Sequence, residues 1–175
     1  MYIESVFTNP TNQTAIIMKL LAKACFARLW IMLLFTSLSM VTVSAVSFSV
    51  SIGEQYRGGI VFYVDGTGQH GLVAANEDMR GHSSGKDEGY FTWSDAKAAC
   101  NRLVSNGYSD WFLPNRWQLN QLYLRKDDVG GFADNYYWSS TEYGADYAWG
   151  QYFNNGAQNW GYKTNLDRVR AVRAF

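Results

Sequence analysis

Nucleophilic catalysis needs a nucleophile, a base and an acid that orients the base. Ser139, Ser140 and Thr141 stand together, but neither His70 nor His82 is placed beside them by any motif. A serine run in a strand then reads as hydrogen-bonded structure. Glu142 and Asp146 lie near one another and offer the paired carboxylates of a polysaccharide hydrolase, one as acid and one as base. Solvated loop acids explain them as cheaply. No zinc spacing exists among His70, His82 and Cys100. Asp87-Glu88 and Asp127-Asp128 are short acidic pairs that a loop could turn toward Ca²⁺, and solvent accounts for them equally well. The glycines of GTGQHG, Gly66 to Gly71, lead into a strand instead of a helix, so they fail as a phosphate loop. No cofactor and no metal are expected.

A different chemistry is written near the end of the chain, in WGQYFNNGAQNWGYKTN, Trp149 to Asn165. Aromatic rings in bulk signal core, and amides in bulk signal surface or turn. In a strand over 147–153, Tyr147, Trp149, Gln151 and Phe153 point one way, and Ala148, Gly150 and Tyr152 the other. Across the turn, Gln158, Trp160 and Tyr162 alternate with Ala157, Asn159, Gly161 and Lys163. Both faces carry rings, more than one side of a small domain hides. Tyr and Trp join flat apolar area to a polar tip, and Asn and Gln hydrogen-bond both ways, a mixture suited to gripping a sugar or a protein surface. The candidate ligand-binding set is Tyr143, Asp146, Tyr147, Tyr152, Asn154, Asn155, Asn159, Trp160 and Tyr162. Trp149 and Phe153 are expected in the interior.

The elements that must hold this surface are short. IVFYVD, Ile60 to Asp65, and GLVAA, Gly71 to Ala75, read as a hairpin about the turn at Gly66 to Gly68. Residues 76–90 read as a loop. A helix opens with Thr92 or Ser94 as cap and buries Ala96, Ala99, Cys100 and Leu103 along one stripe, until Asn106-Gly107 stops it. Asn115 caps a second helix over about 116–125 with Leu119, Leu122 and Tyr123 on one face. Beyond it no helical period remains. Strands are expected over 136–143, 147–153, 157–163 and 169–175, with Asn154-Asn155-Gly156 as the turn of a hairpin. Two helices early and an antiparallel sheet late make an α+β domain.

The net charge of +0 gives no nucleic-acid footprint. Residues 18–45 read as a signal peptide: Lys19, Lys23 and Arg28 precede an apolar run from Leu29 to Val43, and Val43-Ser44-Ala45 supplies small residues for cleavage. That run of about fifteen residues falls short of the roughly twenty a membrane span needs. Residues 1–17 look like an upstream extension with the true start at Met18. Residues 46–175 are then the exported domain, its net charge near −2 once the leader's three cations and Glu4 are gone. Cys100 is its lone cysteine, expected buried and structural.

Several phrases together carry a family likeness. GGIVFYVDGTGQHGLVAA, GYSDWFLPNRWQLNQLY, YWSSTEY, the Ala148-Trp149 pair, Phe153, Gly156, Lys163 and the closing VRAVRAF resemble the Lcl C-terminal domain family, found at the end of the Legionella collagen-like adhesin and of many bacterial surface proteins. The likeness covers most of 56–175. It implies a C-type-lectin-like fold, two helices packed on a twisted antiparallel sheet. It also implies an adhesin-like domain that takes a glycan or protein ligand on a cell or host surface, and it raises a homo-oligomer, since the adhesin's domain trimerises. No collagen-like repeat precedes the domain here. The variable proteins of diversity-generating retroelements use the same fold and are rewritten at adenine-containing codons. The stretch 135–165 is crowded with the residues such rewriting yields, between the family-like Trp138, Trp149, Phe153, Gly156 and Lys163.

Overall fold

The computed structural model describes residues 49–81 and 89–175. The expected signal segment, the upstream extension, His82 and the Asp87-Glu88 pair lie outside them. No helix among the described residues is long and apolar enough to cross a membrane.

The early hairpin forms as its β-branched and aromatic runs about a glycine turn dictate, β2 (Gly59–Val64) pairing antiparallel with β3 (Gly71–Ala74). The two-residue β1 (Gln55–Tyr56) adds to one edge, and the last strand, β9 (Val172–Ala174), closes the other by pairing Leu72 with Ala174. A second sheet runs in the order β4 (Tyr90–Phe91), β8 (Asp167–Arg168), β5 (Tyr136–Glu142), β6 (Tyr147–Tyr152), β7 (Gln158–Tyr162). All its pairings are antiparallel except β5 with β8, which meet in parallel at Tyr137 and Arg168. The architecture is α+β.

Four corrections to the expected elements follow. There are two sheets instead of one. Of the closing VRAVRAF only Val172–Ala174 is strand, because Val169 to Ala171 leave both ladders: Met79 N–H donates to the Val169 carbonyl and Ala75 N–H to the Ala171 carbonyl. Residues 76–90 likewise end in strand β4. A third helix is present too, α3 (Lys126–Val129), following α2 (Arg116–Leu124). It is one turn long, too short to show a period.

The two longer helices begin where their caps place them. Thr92 Oγ1 accepts from the Asp95 N–H at the start of α1 (Trp93–Arg102). Asn115 and Gln118 form a reciprocal capping box on α2. α1 ends earlier than its stop signal suggested, at Arg102. Asn106 and Gly107 take φ of 51° and 83° in the turn beyond it, where Ser105 and Tyr108 exchange backbone hydrogen bonds.

Apolar residues divide between two clusters on opposite faces of the second sheet. Trp138 and Ala148 pack with Phe91, Trp93, Ala96, Cys100 and Trp111 toward α1. Tyr137 and Phe153 pack with Phe62, Leu72, Leu119 and Leu122 toward α2. The indoles are tied down where they are buried: Trp138 Nε1 donates to the Phe91 carbonyl and Trp93 Nε1 to the Ser139 carbonyl, each at 2.8 Å. Burial pushes the Cys100 thiol up to about 12, so it stays protonated, as an inert core residue does. Arg170, fully buried, donates to Asp78, at 2.8 Å, and to the Ala75 and Gly131 carbonyls. Arg173 pairs with Asp110 and lies 3.8 Å from the Tyr108 ring centre. Both arginines are structural.

Candidate functional site

The β6–β7 ladder sets the geometry of the aromatic segment. Tyr147 stands opposite Tyr162, Trp149 opposite Trp160, and Gln151 opposite Gln158, all on one face. The other face carries Ala148 opposite Gly161 and Gly150 opposite Asn159. Helix α2 covers only part of the first face. Gln151, fully buried, donates its side-chain amide to Asn120 and to the Gly156 carbonyl, and Gln158 donates to the Arg116 carbonyl. Past the first residue of α2 the strands run on uncovered.

On that bare end the rings gather. Tyr143 and Trp160 lie parallel, 5.3 Å apart with 4° between planes. Tyr147 meets Trp160 edge-on at 4.9 Å and lies tilted against Tyr162 at 4.5 Å, and Trp149 meets Tyr143 edge-on at 5.4 Å. Tyr143 is 55% exposed, Trp160 49% and Tyr162 54%, although each touches other rings. The Arg116 guanidinium sits 3.6 Å from the Trp149 ring centre while its Nε–H donates to Gln158 Oε1 at 2.8 Å. The result is one contiguous aromatic patch with a cation at its border.

The expected binding residues divide unequally. Tyr143, Tyr147, Trp160 and Tyr162 join in this patch. Asp146 is exposed near it, its carbonyl accepting from the Lys163 N–H. Asn154 and Asn155 are exposed at the other end of β6, about 20 Å away along the strand. There Asn155 Oδ1 accepts from the Ala157 N–H and shapes the turn. Tyr152 and Asn159 belong to the opposite face: Tyr152 stacks on Tyr136 at 4.9 Å, and Asn159 donates to the Tyr136 hydroxyl. The nine residues therefore do not form one surface. A further correction concerns Trp149, expected in the core but half-buried within the patch; Phe153 is buried as expected. Trp149 and Arg116 were missed as site residues, since nothing local says that α2 stops short of this strand end.

Of the two candidate acids, Glu142 is held in an ion pair. Glu142 accepts from Lys163 Nζ at 2.6 Å, and that bond holds its carboxyl below the ordinary range. A general acid must carry a proton near neutral pH. Lys163 also donates to the Ala145 carbonyl and lies 4.6 Å from the Trp93 ring centre, so Glu142 belongs to a brace at the end of the hairpin. No group of three or more His, Cys, Asp or Glu side chains suited to a metal occurs among the described residues.

The face opposite the patch holds a small cavity where Gly150 and Gly161 lie side by side. Asp167 borders it with a carboxyl that burial pushes up to about 6. Nothing in the local sequence around Asp167 marked it, because a lone Asp after Asn165-Leu166 reads as a turn residue.

No curated protein matches the sequence. The family model of the Lcl C-terminal domain matches residues 69–173, from β3 into β9, with most of the core. The chain belongs to the Lcl C-terminal domain family.

Proposed function

We propose that this chain is an exported, adhesin-like binding domain without catalytic activity, displayed at or beyond the cell surface. Its ligand, a glycan or a protein surface, docks on the patch of Tyr143, Tyr147, Trp149, Trp160 and Tyr162, with Arg116 at the border. The observation that carries this reading is the exposure of stacked Tyr143 and Trp160. A soluble domain leaves such rings in water at a cost, and contiguous exposed rings mark places where a partner covers them. Membership of an adhesin's domain family supports the same direction. The C-type-lectin-like fold belongs to this proposal, supported by helices flanking an antiparallel-rich sheet.

Diversification by a retroelement is a companion proposal. Tyr143, Asp146, Asn154, Asn155, Asn159 and Tyr162 are all exposed, so rewriting them would leave the core intact. Trp138 and Phe153 are buried, and Gly156 sits at φ 80° against the Tyr123 ring, so they would have to stay fixed.

A glycan array probed with the full secreted chain, beside the Tyr143→Ala, Trp160→Ala double variant, tests the binding reading. Signals that vanish in the double variant support it. Signals unchanged by the double variant would place the ligand elsewhere. A neighbouring reverse transcriptase gene and template repeat would support diversification, and their absence would remove it.

A further inference from the structure

The cavity on the face opposite the aromatic patch shares Trp160 with it as a lining residue but has chemistry of its own. Its volume is about 120 Å³. The floor is open because Gly150 and Gly161, diagonal neighbours across β6 and β7, place no side chain there. A Cβ on Gly161 would come within 3.1 Å of Asn165 Nδ2 and 3.6 Å of the Trp138 ring. A Cβ on Gly150 would lie 3.8 Å from the Asp167 carboxylate. A guest in that space therefore touches an indole, a side-chain amide and a carboxylate. Tyr136 closes one side, its hydroxyl held by Asn159.

Asp167 is the unusual member. Among the described residues its carboxylate has no hydrogen bond and no ion pair. The charged groups near it are engaged elsewhere: Arg168, on the same strand, reaches Asp78 at 3.7 Å and lies over the Tyr90 ring, and Lys163 is bound to Glu142. The contrast with Asp78 is instructive, since that carboxylate receives Arg170, Arg168 and the Tyr137 hydroxyl. A partly desolvated anion without a counter-charge gains most from a cation, and aromatic walls favour the same guest. A neutral hydroxyl would leave the charge uncompensated. Size narrows the choice, because cavities near 150 Å³ take a guest no larger than benzene. A linear alkyl arm fits; a whole amino sugar does not enter.

We propose that this cavity binds the ammonium end of a lysine-type side chain presented by a protein partner. Asp167 takes the charge, the Asn159 side-chain carbonyl accepts a further N–H group, and Trp138 lines the alkyl stem.

The test titrates the full chain with n-butylammonium chloride, n-butanol and glucosamine near neutral pH, following the backbone amide signals of Gly150 and Gly161 by NMR. Saturable shifts with n-butylammonium, absent with n-butanol, are expected. Asp167→Asn should weaken that binding at least tenfold. Gly161→Ala, which keeps the carboxylate and fills the floor, should weaken it too, so the outcome does not hang on one variant. Binding that is unsaturable, equal for butanol, or unchanged in both variants overturns the proposal. Saturation by glucosamine without n-butylammonium overturns it as well, assigning the cavity to an amino sugar.

Discussion

The two ends of the β6–β7 hairpin share one alternating pattern and meet opposite fates. At the end near the Asn154-Asn155-Gly156 turn, α2 and the β2–β3 hairpin lie over the face that carries Gln151 and Phe153. At the other end the same face carries Tyr147, Trp149, Trp160 and Tyr162 and is left open. The presence of rings does not separate the two ends, for Phe153 lies at one and Tyr147, Trp149, Trp160 and Tyr162 at the other. Coverage by a helix does. An aromatic strand residue is core or contact surface according to what lies above it, and that depends on where a segment some 30 residues earlier in the chain begins.

The sharpest way to break this comparison is to remove a ring from each end and compare stabilities. Phe153 is buried and touches Tyr137 at 4.4 Å, Phe132 at 4.8 Å and Tyr123 at 5.6 Å. Phe153→Ala leaves a void ringed by aromatics that cannot collapse far. It should cost about 3–5 kcal/mol in chemical denaturation, the usual range for such a deletion in a core. A loss below about 1 kcal/mol would mean that the covered end is not packed.

The next largest effect runs in the opposite direction and concerns the second face. Asp167 has a folded pKa of about 6 against an ordinary 3.8, so the folded chain holds this proton more tightly than the unfolded chain. Between those values the native state binds more protons, and stability therefore falls as pH rises through the window. Below about pH 4 both states are protonated and the cost disappears. Above about pH 6 both are ionised and the cost is complete, at most about 3 kcal/mol for two units and less because the cavity is open to solvent. Asp167→Asn should thus raise the thermal midpoint at pH 7.4 and leave it unchanged near pH 4. An equal gain at both pH values would show that charge is not the cause.

Much of the fold was legible because its signals are local. Thr92 and Asn115 announce their helices through capping, which acts within a turn. The hairpins follow from period-two alternation and Asn-Gly chemistry. The late start of the strand in VRAVRAF was not legible, because Val169 and Ala171 are taken by Met79 and Ala75, nearly a hundred residues away. Trp149 escaped for the same kind of reason. Its half-burial is made by Arg116 from another element, and alternation assigns a face without saying whether the face is covered. The patch itself was half legible: the surplus of rings and their alternation were visible, while Tyr152 and Asn159, on the other face, were grouped with Trp160 in one binding set. The cavity escaped altogether, since two glycines and an aspartate signify nothing until β6, β7 and β8 bring them together.

A smaller effect is expected at the boundary between the two ends. Arg116 joins them, its guanidinium against Trp149 and its Nε–H on Gln158. Arg116→Ala removes a cation–π contact worth about 0.5–1 kcal/mol at an exposed site, together with a hydrogen bond of similar size. A loss of about 1–2 kcal/mol in denaturation, with a changed accessibility of Trp149 to a fluorescence quencher, is expected. Arg116→Lys should restore less than half of it, because an ammonium cannot lie flat on the ring and still reach Gln158.

The smallest stability effect should come from the residue on which the functional reading leans hardest. Trp160 is 49% exposed, and its contacts are with Tyr143 and Tyr147, rings that themselves face solvent. Trp160→Ala exposes little new surface that was dry before, and the lost stacking is worth about 0.5–1.5 kcal/mol. The measured loss should therefore stay near 1 kcal/mol, well under that for Phe153, although tryptophan is the larger side chain. If Trp160→Ala instead destabilises the fold as much as Phe153→Ala, the bare end is bare in appearance only, and its rings are holding the hairpin together. If stability holds and ligand capture is lost, the two ends differ as coverage predicts: one keeps the fold, and the other is free to meet a partner.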